Sequence, residues 1–191
     1  MSNIPSPKIY IYWSFVLQEY IVRSKYDEKK LQSFTYEFSK FFKKYEKKVL
    51  KYIEKYSGFK WKEKRITVWL FDGFHESIPD PFFLNVYNYD KEFMLFKFIH
   101  LLLHRILLQN GFHRFTRNEF LDKAEFDAIL YFITKRISEY FFDKNKIREL
   151  CKKSESIEHY KSVWETEQEI EKRWDIRKST LKDYISSMKL G

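Results

Sequence analysis

Apolar side chains recur at steps of three and four residues between Asp27 and about Tyr56, and lysines fill many of the positions between them. This spacing places the apolar groups on one side of a helix, so the segment is predicted to form a single amphipathic helix. Ser57 and Gly58 are predicted to end it, because glycine suits the left-handed position that follows a helix. The apolar positions are Leu31, Phe34, Phe38, Phe41, Phe42, Tyr45, Val49 and Ile53.

Two short segments, residues 64–71 and 81–89, are rich in β-branched and aromatic residues and are predicted to be strands. Pro79 and Pro81 favour an edge position for the second strand, because proline cannot donate to a strand ladder. Residues 8–22 begin with an alternating aromatic run that is typical of a strand. They then become too uniformly apolar for a helix and a strand to be distinguished.

Asp90 is a suitable N-cap for a helix that ends at Asn110 and Gly111. Residues 93–108 are apolar on almost every side, so this helix is predicted to run through the centre of the domain. A further helix is predicted over about residues 121–142. The elements together predict an α+β fold that is predominantly helical, with a small sheet packed on the buried helix.

A chain of 191 residues fits one compact domain with an appended segment. Residues 1–143 are predicted to form the domain, and residues 144–191 are predicted to be a charged, helix-prone extension. Trp164 and Trp174 are candidate anchors for this extension. The pattern leaves open whether it is a docked helix pair or a flexible arm.

The only cysteine, Cys151, cannot form an internal disulfide, so a reducing compartment and a cytoplasmic location are expected. The longest apolar segment is interrupted by Lys97, His100 and His104. The sequence therefore predicts no membrane span.

The formal net charge is +9, and residues 25–65 carry an excess of eight positive charges, which is nearly all of it. Lysines follow the polar side of the first amphipathic segment, and such a basic stripe can contact phosphates or an acidic partner. The alternative is a solvated helix surface, since no recognised nucleic-acid motif accompanies it. The basic stripe is Lys40, Lys44, Lys47, Lys48 and Lys51, with Lys43 and Lys55 beside it.

His100 and His104 lie one helical turn apart and therefore project from the same side of the buried helix. This spacing allows two imidazoles to bind one tetrahedral zinc ion. Zinc hydrolases carry it as H-E-x-x-H, in which the Glu is the general base, but Leu101 occupies that position here. The alternative is a pair of core histidines that are satisfied by neighbouring polar groups.

The elements follow in the order strand, proline-containing turn, edge strand, buried helix with HLLLHR, Asn-Gly stop, and a helix carrying acids. This order resembles the minimal zincin-like fold of the gluzincin, or MA-type, metallopeptidases. The resemblance covers residues 64–137, and its most specific parts are residues 102–105 and 128–131. It implies a zincin-like domain over residues 1–143, with residues 100–104 as a degenerate H-E-x-x-H motif.

The resemblance implies that the helix after the histidine pair supplies a third zinc ligand, most often a Glu. Matching residues 123–132 to the family's second helix favours Asp127, whereas the apolar stripe of that helix favours Glu125. Glu119 is a third candidate, because gluzincins often place an Asn-Glu pair in this region. For each acid the alternative is a solvated helix charge.

The resemblance also implies that substrate binds beneath the second strand. An extended peptide can join such a strand by pairing with its edge, so a protein or peptide partner is expected. The predicted binding groove is formed by Phe82, Phe83, Leu84, Asn85, Val86 and Tyr87.

Leu101 removes the carboxylate that would accept a proton from zinc-bound water, and general-base catalysis commonly contributes ~10²–10⁴-fold. No sequence pattern supports a replacement by His75, Glu76 or His113. The leading hypothesis is therefore a catalytically impaired zincin-like domain that acts as a binding or structural module, with zinc as its candidate ion. The alternatives are an active zinc peptidase with a displaced base, and a basic, nucleic-acid-associated helical protein without metal.

Overall fold

The computed structural model describes residues 6–15, 17–22, 25–73, 77–86, 88–112, 123–155, 161–176 and 178–188. The strands are β1 (Lys8–Trp13), β2 (Arg65–Phe71), β3 (Ile78–Pro79) and β4 (Phe82–Asn85). A short π-helix spans Leu17–Val22. The α-helices are α1 (Glu28–Lys43), α2 (Glu46–Ser57), α3 (Lys91–Gln109), α4 (Lys123–Ser138), α5 (Lys144–Glu155), α6 (Lys161–Arg173) and α7 (Leu181–Met188).

The four strands form one sheet in the order β1-β2-β4-β3, with parallel β1–β2 and β2–β4 pairs. The prediction that the second strand lies at the edge is wrong, because β3 pairs antiparallel with β4 at Phe82 and Phe83 and takes the edge itself. Arg105 of α3 holds β3 there, donating to the carbonyl of Pro79 at 3.0 Å and pairing with Asp80 at 2.6 Å.

The alternating run at the start of the chain forms β1, and the uniformly apolar stretch after it contains the π-helix. β4 is shorter than predicted and ends at Asn85. Asn88 and Tyr89 have φ values of 50° and 55°, a left-handed conformation that cannot continue a strand.

α3 lies at the centre of the hydrophobic core, as its sequence predicts, because 13 of its 19 residues are buried. It contacts α1, α2, α4 and α5, and the inward side chains of β1, β2 and β4 belong to the same core. The predominantly helical α+β prediction is therefore confirmed. Within the described residues, no helix combines the length and the apolar content needed to cross a membrane.

The first amphipathic segment forms two helices rather than the single helix predicted, with a break at Lys44 and Tyr45. The Tyr45 ring packs edge-on against Phe141 at 5.3 Å between ring centres, and Glu46 accepts a hydrogen bond from the N–H of Ile9 in β1. These long-range contacts fix the break. The periodic pattern hides it, because α1 and α2 bury their apolar sides in the same core.

Two aspartates and two glycines mark helix ends as predicted. Asp27 and Asp90 accept backbone hydrogen bonds in the first turns of α1 and α3. Gly58 and Gly111 adopt left-handed conformations, with φ of 74° and 89°. A Cβ at residue 58 would lie 2.5 Å from Oγ1 of Thr180, so the chain can approach this closely only because residue 58 is glycine.

α4 ends at Ser138, earlier than predicted, and its predicted start lies outside the described residues. Residues 139–142 turn instead, so that the Tyr140 ring stacks on Tyr52 with centres 3.9 Å apart. The hydroxyl of Tyr140 is also hydrogen-bonded to that of Tyr56 at 2.6 Å. This packing against α2 cannot be read from the periodicity of α4 alone.

Of the two alternatives for the C-terminal segment, the structure shows docked helices. α6 packs along α4, α5 contacts α3 and α4, and α7 contacts α2. Trp174 is buried as expected of an anchor, whereas the side chain of Trp164 lies outside the described part. The hydrophobic core continues across the predicted boundary between residues 143 and 144 through Ile147, Leu150, Val163, Ile170, Ile176, Leu181 and Ile185.

Candidate metal centre

Two facing helices bring the candidate ligands together. Lys97, His100 and His104 are spaced three and four residues apart and therefore share one side of α3. Asp127 and Tyr131, four residues apart on α4, share the side that meets them. α3 and α4 pack directly against each other, so the site is built on two rigid elements.

The potential ligand atoms have the spacing of a single metal centre. The Nε2 atoms of His100 and His104 are 3.1 Å apart, and Nε2 of His104 lies 3.5 Å from Oδ1 of Asp127. One ligand atom from each residue falls within 4.8 Å of the other two. Two ligands of a tetrahedral zinc with bonds of ~2.0–2.1 Å are about 3.3 Å apart, so the His100–His104 and His104–Asp127 separations fit this ion.

The structure distinguishes two of the three acids that the sequence leaves open. Asp127 faces the histidine pair, whereas Glu125 points toward Arg173, with 3.9 Å between the charged atoms. Glu119 lies outside the described residues, as do the loop residues His75, Glu76 and His113. Asp127 is therefore the candidate third ligand among the described acids.

His100 is buried, and its imidazole lies nearly parallel to the Tyr131 ring with 4.0 Å between ring centres. Burial, followed by the effects of His104 and Lys97, holds the pKa of His100 well below its ordinary value. The imidazole is therefore neutral at pH 7. A metal ion needs this form, because a protonated ring nitrogen cannot coordinate.

We expect the zinc-free protein to lose stability in mild acid because of His100. Its pKa is depressed in the folded state, so below about pH 6.5 the unfolded chain takes up a proton that the buried ring does not. Below that pH, the unfolding free energy of the wild type should fall by about 1.4 kcal/mol per pH unit more than that of a His100→Gln variant. Urea unfolding at pH 7.5 and 5.5 with a chelator measures this difference, and equal losses in both proteins would contradict the assignment.

The hydrogen bond that usually orients a zinc-bound histidine through its second ring nitrogen is missing for His100 among the described residues. Nδ1 of His100 is buried and has no hydrogen-bond partner there. A zinc-bound histidine usually donates from its second nitrogen to a carboxylate, a carbonyl or water, and loss of that partner typically costs ~10–100-fold in affinity. The donor set therefore fits zinc, but without the hydrogen bond that usually supports a zinc-bound histidine.

A buried lysine lies beside the histidines, and the sequence pattern alone does not indicate a role for it. Lys97 is only 3% exposed, and its ammonium donates to the Tyr131 hydroxyl at 2.5 Å. The available signal is a lysine within the apolar run Phe93–Ile99 of α3, three residues before His100. Its positive charge opposes a metal cation and favours an anionic group at the open side of the site.

Leu101, at the general-base position of the zincin motif, is 5% exposed and belongs to the hydrophobic core. Hydrocarbon therefore fills the place where the resemblance would require a carboxylate. A leucine side chain can neither accept a proton nor orient water.

The predicted groove is largely buried. Phe82, Leu84, Asn85 and Val86 are buried, Phe83 is partly exposed, and Tyr87 lies outside the described residues. β4 is also paired on both sides, with β2 and β3. The outer edge of the described sheet on this side is β3.

The five lysines of the basic stripe are all exposed along the end of α1 and along α2. The ammonium of Lys40 lies 4.6 Å from the ring centre of Tyr36 on the same helix. Neighbouring Lys43 pairs with Glu46 at 2.5 Å. This exposure agrees equally with a phosphate-binding surface and with a solvated helix.

No protein-family model, curated protein sequence or solved structure matches this chain. Among the chain's own residues, the clearest indication of function is the convergence of two imidazoles and one carboxylate from two packed helices.

Proposed function

We propose that this chain is a catalytically impaired zincin-like domain that binds one zinc ion between α3 and α4. Nε2 of His100, Nε2 of His104 and a carboxylate oxygen of Asp127 would be the protein ligands. The observation that carries the proposal is the mutual spacing of these atoms, all within 4.8 Å. The role that follows is a binding or structural module rather than a peptidase.

The chemistry of the donors favours zinc over calcium or magnesium. Imidazole nitrogens suit zinc and other transition metals, whereas calcium and magnesium prefer shells made of oxygen. Three protein ligands leave a fourth tetrahedral position open. The side chains of His104 and Asp127 are about one-fifth exposed, so solvent or a group from a partner can reach that position.

Peptide hydrolysis is disfavoured because Leu101 provides no general base. Lys97 places a positive charge beside His100. That charge favours an anion, such as a carboxylate from a partner, at the open position. We propose that the partner is a protein or peptide. A peptide on this side of the sheet would contact the exposed side chain of Ile78 rather than extend the sheet, because Pro79 has no N–H to donate and its carbonyl accepts from Arg105.

The test is zinc binding by untagged protein, measured by elemental analysis and by competition with a chromophoric chelator. Wild-type protein is expected to hold one zinc ion, and His100→Ala, His104→Ala and Asp127→Ala are expected to lose it. Glu125→Ala is the matched control, because Glu125 lies two residues from Asp127 on α4 but points toward Arg173. Zinc should also raise the melting temperature of the wild type and the control only.

Two results would overturn this proposal. Equal zinc content in wild-type protein and all three ligand variants would remove the metal site. A chelator-sensitive peptidase activity in the wild type would show that the chain is an active enzyme despite Leu101.

A further inference from the structure

The side of the sheet that faces away from α3 carries an ordered set of aromatic and basic side chains. The register aligns Tyr12 of β1, Trp69 of β2, Phe83 of β4 and Ile78 of β3 in one row across all four strands. A parallel row pairs Tyr10 with Thr67, and the next pairs Lys8 with Arg65. The outer surface of the sheet thus changes from aromatic to cationic along β1 and β2.

Part of this surface is open to solvent. At one end, Leu17 of the π-helix and Phe71 form a small buried cluster, against which Trp69 and Phe83 pack. Tyr10 and Tyr12 are 36% and 40% exposed, and their rings lie parallel, with 4° between planes and 6.4 Å between centres. Trp69 continues the aromatic surface at 5.6 Å from Tyr12.

An open face is unusual for strands with this topology. Parallel sheets are normally covered on both sides, because the crossover connections place helices over each face. Here the inward residues of β1, β2 and β4 are buried against helices, while the outward residues of β1 are exposed. Exposed aromatic surface of this kind commonly marks an interaction site.

The charges around the rings favour a polyanionic ligand. The Arg65 guanidinium lies 4.4 Å from the centre of the Tyr10 ring, and Lys8 is its exposed neighbour in register. Lys62 and Lys64 are exposed just before β2. No acidic residue occupies an outward position of the described strands, and the whole chain carries a net charge of +9.

We infer that this face binds single-stranded nucleic acid, with bases stacked on Tyr10 and Tyr12 and phosphates held by Lys8 and Arg65. Single strands offer unstacked bases to aromatic side chains, and a basic surface follows their backbone. A duplex keeps its bases stacked internally and cannot use the rings in this way. Aromatic residues and Arg are also common at protein interfaces, whereas Lys is depleted there, so exposed Lys8, Lys62 and Lys64 favour a nucleic acid over a protein partner.

The experiment is fluorescence anisotropy of labelled oligo(dT) and oligo(U) of about twelve nucleotides, titrated with the full chain. We expect saturable, salt-dependent binding, and weaker binding to a duplex of the same length. EDTA should leave this binding unchanged, since the aromatic face and α3 lie on opposite sides of the sheet. The zinc site and the aromatic face are thereby tested independently.

Exposed rings allow variants that should not disturb folding. Tyr10→Ala and Tyr12→Ala are each expected to weaken binding by about 5- to 100-fold, because each removes one stacking surface. Tyr12→Phe keeps the ring and should bind like the wild type. Tyr36→Ala is the matched control, because Tyr36 is also exposed and also lies beneath a cation, Lys40, but on α1.

The cations provide a second, independent measurement. Lys8→Gln and Arg65→Gln should each lower the slope of log affinity against log salt by roughly one.

Wild-type affinity in Tyr10→Ala and Tyr12→Ala would overturn the inference, as would binding abolished only by reversing the charges of Lys44, Lys48 and Lys51. A wild-type dimer that becomes monomeric in Tyr12→Ala would overturn it too, since a second copy of the chain would then cover this face.

Discussion

Leu101→Glu is expected to destabilise the protein rather than restore a peptidase. Leu101 is 5% exposed in the core around α3, so the new carboxylate would lose its hydration without gaining a partner. An uncompensated buried charge of this kind costs about 3–5 kcal/mol. Chemical denaturation at pH 7 measures the loss, and an assay with a peptide library should detect no chelator-sensitive cleavage.

Two companion variants separate charge from shape at this position. Leu101→Met preserves volume and should cost less than about 1.5 kcal/mol. Leu101→Gln should fall between Met and Glu, because it buries polarity without charge. The Glu variant should recover part of its stability at pH 4 to 5, since burial raises a carboxyl pKa and protonation removes the charge. If Leu101→Glu were as stable as Leu101→Met at pH 7, residue 101 would be solvated and a general base could work there.

Tyr131→Phe is expected to cost about 2–3 kcal/mol, which is large for the loss of one hydroxyl. The hydroxyl accepts the 2.5 Å hydrogen bond from the buried ammonium of Lys97. Its removal takes a hydrogen-bond acceptor away from a buried charge, while the ring that stacks on His100 is preserved. Urea unfolding compares the variant with wild type, and Tyr36→Phe is a control at a tyrosine that is 63% exposed and lies outside this site.

A double-mutant cycle assigns this cost to the pair. Lys97→Met keeps most of the apolar stem without the charge, so Tyr131→Phe should be much less costly in that background. Lys97→Met should also tighten zinc binding, because it removes a cation beside His100. Equal costs of Tyr131→Phe in both backgrounds would contradict the coupling.

The sequence predicts the elements that local physics determines. α3 is apolar on nearly every side and is capped by Asp90 and Gly111, so its central position and its ends follow from residue type and spacing. Gly58 ends α2 for the same local reason. The histidine pair shares one helix face at a distance fixed by helix geometry alone.

The remaining features depend on contacts between distant parts of the chain. The break before α2 reflects the Tyr45 contact with Phe141, and the edge position of β3 reflects Arg105 on α3. Asp127 and Glu125 are equivalent candidates until the packing of α4 against α3 shows which one faces the histidines. Periodicity reports which side of an element is buried, but not which neighbour buries it.

Titration of the zinc-free chain with Co²⁺, followed by visible absorption, tests the convergence of His100, His104 and Asp127 most directly. Cobalt substitutes for zinc, and its absorption reports the number and geometry of the ligands. The account predicts intense four-coordinate bands that saturate at one equivalent, persist in Glu125→Ala, and disappear in His104→Ala and Asp127→Ala. A spectrum that stays that of the hydrated ion, or one unchanged in both ligand variants, would contradict it.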